Sequence, residues 1–296
     1  MGLQNLCSAI AILLMSAVSV GAQPIPAGKP LHTIPAADIF AGVARPVGGP
    51  AAVHGTTSRG CFTGGVALAD EGATWQVMRP SRNRYYAHPR TVATVERLAA
   101  LAPSLGLRGI LVGDLSQPAG GPMPWGHASH QSGLDADIWF ADMPEPRLTA
   151  EERETIEMQS MLTPDGKALD TTRFTAPFAR LVAAAAKMDQ VQRIFVHPQI
   201  KLALCQWDGV GDDRSWLRKV RPWYGHYEHF HMRLFCPAGM TTCREQNPPP
   251  PGDGCGADLE YWFTPAPYAP APKGTKKRRP LTVADLPAAC ARIFGG

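Results

Sequence analysis

The sequence predicts an α+β fold: a central antiparallel sheet flanked by helices, stapled by disulfides and followed by a Pro-rich C-terminal extension. Three observations predict it. Segments 134–140 and 229–234 alternate apolar and polar residues with the period of half-buried strands. Helical spacings at 90–102 and 175–188 interrupt the strand signals. Six cysteines follow an apparent export signal, an even number that suits a disulfide framework.

Each element is read from its residues. Segment 1–22 reads as a signal peptide. Its 9–20 stretch is almost wholly apolar but too short to span a membrane, and Val20-Gly21-Ala22 offers small residues for cleavage. The basic start usual in such signals is absent, since Lys29 is the first cation. The expected location is the periplasm, after cleavage near Ala22. Segment 23–60, rich in Pro, Ala and Gly, is expected to be an irregular lead-in, with Cys61 opening a peptidase domain over 61–263.

Within that domain, Val92, Val95, Leu98 and Leu101 mark a helix that Pro103 ends. Segment 109–113 is a short buried strand. On 134–140, Leu134, Ala136, Ile138 and Phe140 take one face, while Asp135, Asp137 and Trp139 take the other. Thr149 and Glu152 form a capping-box pattern that starts a helix expected to run to about Met161. Segment 192–196 is a strand. Phe230, Met232 and Leu234 form the apolar side of another, whose polar side carries His229, His231 and Arg233.

Beyond Cys236 the pattern is loop-like. Segment 264–296 reads as a Pro-rich basic tail with a short helix over 281–294. Five tail cations, Lys273, Lys276, Lys277, Arg278 and Arg279, account for the charge: without them the net value falls from +4 to −1. A near-neutral body excludes a nucleic-acid-binding face. No further stretch is apolar enough for a transmembrane anchor. The sequence leaves a homodimer open.

Two segments carry the chemistry. One runs Gly126-His127-Ala128-Ser129-His130-Gln131-Ser132-Gly133-Leu134-Asp135-Ala136-Asp137, the other Trp223-Tyr224-Gly225-His226-Tyr227-Glu228-His229-Phe230-His231. Two imidazoles and a carboxylate can hold Zn²⁺ with a fourth position open, the layout of a catalytic site. Such an ion acidifies a water ligand to a pKa of about 7 and polarises a carbonyl. There is no G-x-S-x-G elbow and no H-E-x-x-H helix. Glu228, three residues before His231, is the candidate base; His226 and His229 are candidates to orient water or stabilise charge. Asp135 can orient a ligand histidine. His88, His197 and Asp114 receive no chemical role.

The H-x6-D and H-x-H pattern resembles that of zinc metallopeptidases cutting D-alanyl bonds in peptidoglycan. Longer spans are similar to one family among them, the penicillin-insensitive murein endopeptidases. These are the 126–137 segment, Arg193-Ile194-Phe195-Val196, Trp216-Leu217-Arg218-Lys219-Val220-Arg221-Pro222-Trp223 and Gly252-Asp253-Gly254-Cys255-Gly256-Ala257. The resemblance implies His130, Asp137 and His231 as ligands of one catalytic Zn²⁺. It implies disulfides Cys61–Cys290, Cys205–Cys255 and Cys236–Cys243, where cysteine counting alone leaves fifteen connectivities. It also implies a second metal position at His127 and Asp165, put in doubt because Ala168 stands where the family has histidine. Glu228 departs from the family, yet related D-alanyl-D-alanine dipeptidases place a catalytic glutamate three before the last ligand. The implied function is periplasmic hydrolysis of D-alanyl–diaminopimelyl cross-links, with peptidoglycan as partner. The alternatives are a D-alanyl-D-alanine carboxypeptidase and a non-catalytic cell-wall-binding protein.

Overall fold

The computed structural model describes residues 30, 33–270 and 279–294. The expected signal peptide and four of the five tail cations lie outside the described residues. The strands are β1 (Ala52–Thr56), β2 (Arg59–Thr63), β3 (Val66–Ala67), β4 (Glu71–Gly72), β5 (Trp75–Val77), β6 (Tyr86–Ala87), β7 (Ile110–Val112), β8 (Asp135–Asp142), β9 (Val191–Val196), β10 (Val220–Pro222) and β11 (His229–Leu234). The helices are α1 (Ala36–Ala41), α2 (Pro89–Leu105), α3 (Ala150–Thr155), α4 (Ala176–Lys187), α5 (Pro198–Gln206), α6 (Ala257–Glu260) and α7 (Ala288–Arg292).

A seven-stranded sheet of order β10-β9-β11-β8-β7-β5-β4 organises the chain. Its central pairs are antiparallel, as alternation predicts, while β10–β9 and β5–β7 are parallel. Ala136, Ile138, Phe140, Phe230, Met232 and Ile194 occupy one face and share a core with apolar residues of α2 and α4. The opposite face carries the polar alternates. Register aligns them in rows: His231 lies between Asp137 and Phe195, and Arg233 between Asp135 and Arg193. Arg221 extends the first row beyond Phe195. Both faces of β8 are buried, so its acids lie beneath a covering layer rather than on a half-exposed strand.

Several boundaries differ from expectation. The lead-in is not wholly irregular, since it contains α1, β1 and the start of β2. It packs with the C-terminal segment: Ile39, Phe40, Cys61, Val283, Leu286 and Cys290 share a satellite core, and Ala36 N–H donates to the Leu281 carbonyl at 2.7 Å. The helix opened by the Thr149 capping box stops at Thr155, where Ile156 turns extended. The terminal helix is a 3₁₀ turn, Val283–Asp285, followed by α7.

Disulfides join Cys61 to Cys290, Cys205 to Cys255 and Cys236 to Cys243. The first spans 229 residues and clamps the terminal segment to β2. In the chain-entropy account, closing so long a loop stabilises the fold by on the order of 5 kcal/mol. Among the described residues, no helix is long and apolar enough to cross a membrane.

Candidate metal centre

Strand β8 supplies Asp135 and Asp137, β11 supplies His231, and the loop entering β8 supplies His130. Gly113 makes the approach possible, because a Cβ there would lie 2.9 Å from Trp139 and 3.3 Å from the Asp137 Cβ. His130 has φ of 64°, the left-handed region that side-chain-bearing residues rarely adopt. Its backbone N–H donates to Asp135 Oδ2 at 2.9 Å, and its carbonyl accepts from the Ser116 hydroxyl. These bonds hold a conformation that the residue disfavours, as happens at functional sites.

The ring nitrogens are assigned by their partners. His130 Nδ1–H donates to the Leu115 carbonyl, leaving Nε2 a bare lone pair. His231 Nε2–H donates to Asp135 Oδ1 at 3.0 Å, leaving Nδ1 bare. The two bare nitrogens lie 3.1 Å apart, and Asp137 Oδ1 is 3.3 Å from each. Asp137 Oδ1 is buried and has no hydrogen-bond partner. Three such groups converging this closely call for positive charge among them, either a proton on His130 or a bound cation. A tetrahedral ion with bonds of about 2.0–2.1 Å has ligand–ligand edges of about 3.3–3.4 Å, close to this triangle. The residues therefore fit a metal such as zinc.

The surroundings supply the opposing charge. Burial alone would raise the Asp135 carboxyl, but the Arg233 guanidinium and the His231 ring hold it well below the usual carboxylate range. Burial disfavours a charged His130 as well, yet the Asp137 carboxylate outweighs it and lifts the ring to about 9. The pocket thus demands positive charge beside Asp137. Arg233 Nε donates to Asp135 Oδ1 at 2.7 Å, so a chain Arg233–Asp135–His231 orients the ring from behind.

The other expected residues divide. His226 borders the open cleft of about 520 Å³ that His231 also lines. Its φ is 53°, and its Nδ1–H donates to the Tyr224 carbonyl at 2.6 Å. Burial, with the His231 and His229 rings, pushes it down to about 3, so it is neutral with a free Nε2. His229 Nε2 lies 3.7 Å from Asp137 Oδ2, and burial lowers its pKa too. Glu228 is not among the residues lining that cleft. Burial and the nearby Glu157 raise its carboxyl, which places it with an acid rather than with the histidines. Strand alternation carries it to the side opposite His229 and His231.

His127, His130 and Asp137 offer ligand atoms within 4.8 Å of one another, so His127 also borders the centre. Its Nε2 pairs with Asp114 Oδ2 at 3.0 Å. Asp114 is itself held by Arg84 at 2.9 Å. Asp165 joins no such cluster among the described residues. It sits in an exposed turn, accepting hydrogen bonds from Thr163 and Lys167. His88 and His197, given no role, cap the N-termini of α2 and α5 by accepting from Arg90 and Gln199. Sequence reasoning missed Asp114 as the partner of His127, and only its place after a buried strand hinted at it.

Two imidazoles and a carboxylate, held by two strands and the loop entering β8 beside an open cleft, have the layout of a metallohydrolase centre. Residues 53–295 match the family model of the penicillin-insensitive murein endopeptidases, and the chain belongs to that family. A protein of Klebsiella pneumoniae (strain 342) called penicillin-insensitive murein endopeptidase is 39% identical over 279 residues, covering 94% of this chain and 95% of its own. A protein of the same name from Escherichia coli O157:H7 is 40% identical over 287 residues, 97% of each chain.

Proposed function

We propose that this chain is a periplasmic zinc endopeptidase of peptidoglycan that hydrolyses D-alanyl–diaminopimelyl cross-links. Family membership supports the class of reaction. The observation that carries the metal reading is the triangle of His130 Nε2, His231 Nδ1 and the partnerless Asp137 Oδ1. These three would hold the ion, with His127 beside them, its Nε2 on Asp114 and its Nδ1 3.7 Å from Asp137 Oδ2.

The ion, when bound, supplies a Lewis acid that polarises the scissile carbonyl and acidifies water. The protein's own groups supply the rest. Leu115 and Asp135 fix the orientation of the two imidazoles, so neither ligand ring must rotate before reaction. His226 lines the cleft and is held neutral, with Nδ1–H on the Tyr224 carbonyl, so its other nitrogen would accept a hydrogen bond from the attacking water and orient it. His229 stands beside Asp137 Oδ2 and offers a second polar contact for the developing charge.

Digesting purified cross-linked muropeptides and weighing the fragments by mass spectrometry tests this reading. Dimers should yield monomers, a chelator should stop the reaction, zinc should restore it, and a β-lactam should leave it unaffected. β-Lactams acylate a serine nucleophile, for which the sequence offers no elbow motif. Release of terminal D-alanine alone would favour a carboxypeptidase. Turnover by zinc-free protein would exclude the metal mechanism.

A further inference from the structure

The cleft beside the candidate metal centre has a basic wall. Arg193, Arg221, Arg233 and Arg244 line it, with Glu245 as the sole acid among its lining residues. Two of these cations are already paired: Arg233 binds Asp135 at 2.7 Å, and Arg221 binds Asp258 at 2.9 Å. Arg193 has no carboxylate partner among the described residues. Its Nη2 donates to the Asn247 carbonyl at 2.6 Å, while its Nε–H is buried without an acceptor.

Its position follows from the sheet register. Arg193 pairs with Arg233 in the row next to the Asp137–His231–Phe195 row. The Phe195 ring is shared by Arg193 and the centre, with the Arg193 guanidinium 5.9 Å and the His231 ring 5.4 Å from it. Burial, then Arg233 and Arg221, lower Arg193 to about 10. A guanidinium held beside like charge and partly desolvated gains from an incoming anion, and its planar fork suits a carboxylate.

We propose that Arg193 forms a carboxylate subsite, receiving the free carboxylate of the diamino acid whose amino group is acylated in the cross-link. The inference rests on reading this cleft as that of a cross-link endopeptidase. In such a substrate the carboxylate stands on the carbon next to the scissile nitrogen. An anion held at Arg193 would therefore draw the amide toward His231 and fix which side of the bond faces β9. Arg193 is a specificity residue, separate from the groups that move protons.

The test compares two cross-linked dimers that differ only in having a carboxylate or a carboxamide at that carbon. The wild-type protein should prefer the carboxylate in kcat/KM by on the order of 10–100-fold, the range for one charge-assisted contact. In R193Q the ratio should collapse toward one, and R193K should lie between. Equal losses on both dimers in R193Q, or no wild-type preference, would overturn the subsite. Calorimetric titration with the same two peptides reads the subsite without turnover. If wild type cleaves neither dimer but shows an Arg193-dependent binding preference, the endopeptidase reading falls and the subsite stands. If binding shows no preference, the subsite falls whether or not either dimer is cleaved.

Discussion

His130 and His231 face each other with bare lone pairs: Nε2 of one lies 3.1 Å from Nδ1 of the other. The second nitrogen of each ring is already bonded to an oxygen, of Leu115 and of Asp135. Neither ring can relieve the contact by exchanging tautomers without breaking a buried bond. The contact needs positive charge between the rings, a bound cation or a proton on His130, and Asp137 supplies the matching negative charge.

Asp137→Ala should therefore abolish metal binding and turnover together while leaving the thermal midpoint of the metal-free protein close to that of metal-free wild type. Removing the carboxylate leaves two neutral ligands, too few for a firmly held zinc. Elemental analysis and a cleavage assay check this. Stoichiometric zinc in the variant would remove Asp137 from the ligand set.

His226 and Glu228 make opposite predictions. His226→Ala should lower turnover by about 10²-fold with metal retained, the cost of losing a group that positions the attacking water. Glu228→Gln should change it little, because that carboxyl keeps company with Glu157 and does not line the cleft. A large defect in Glu228→Gln with normal metal content would return the base to Glu228.

The Cys61–Cys290 bond should carry much of the stability of the terminal segments. Cys61→Ser with Cys290→Ser should lower the unfolding free energy by up to about 5 kcal/mol in the chain-entropy account. Denaturant titration measures it, and free-thiol labelling of the wild type should find no reactive cysteine among the six paired ones. An unchanged denaturation midpoint would mean that the satellite core holds unaided.

Lys201 gives a pH prediction with a definite sign. Its side chain is fully buried, donating to the Leu217 and Asp253 carbonyls at 2.8 Å each. Burial, aided by Arg221, pushes its ammonium down to about 7 from the usual 10.5. Between those values the unfolded chain binds the extra proton, so this residue makes stability rise with pH from about 7 to about 10.5. Subtracting the Lys201→Met profile from that of wild type should isolate the rise. A flat difference would show that the ammonium stays charged within the fold.

The ligand candidates are legible because strand alternation and spacing place them on one polar face. His130 and Asp137 are close in sequence, and His231 falls on a clear period-two pattern. The fold class follows from the same periodicity. Register is not legible locally: nothing in 191–196 says that Arg193 will sit opposite Arg233. The Leu115 carbonyl that sets the His130 tautomer is backbone, and backbone leaves no residue-type signature. β1 was hidden because five residues interrupted by a glycine, Ala-Val-His-Gly-Thr, give too short an alternation to separate from a turn. Spacing from His231 alone suggests Glu228 as the base; its side of the strand, set by alternation, points the other way.

His130 and His231 are 101 residues apart in the chain, and they meet only when β11 has docked against β8 in the correct register. A slip of one position would bring Phe230 or Met232 to where His231 belongs. The centre exists only where those two strands are paired in register, so a copy in which they are unpaired lacks the ligand set and is chemically inert. Activity itself reports that the strands have found their partners.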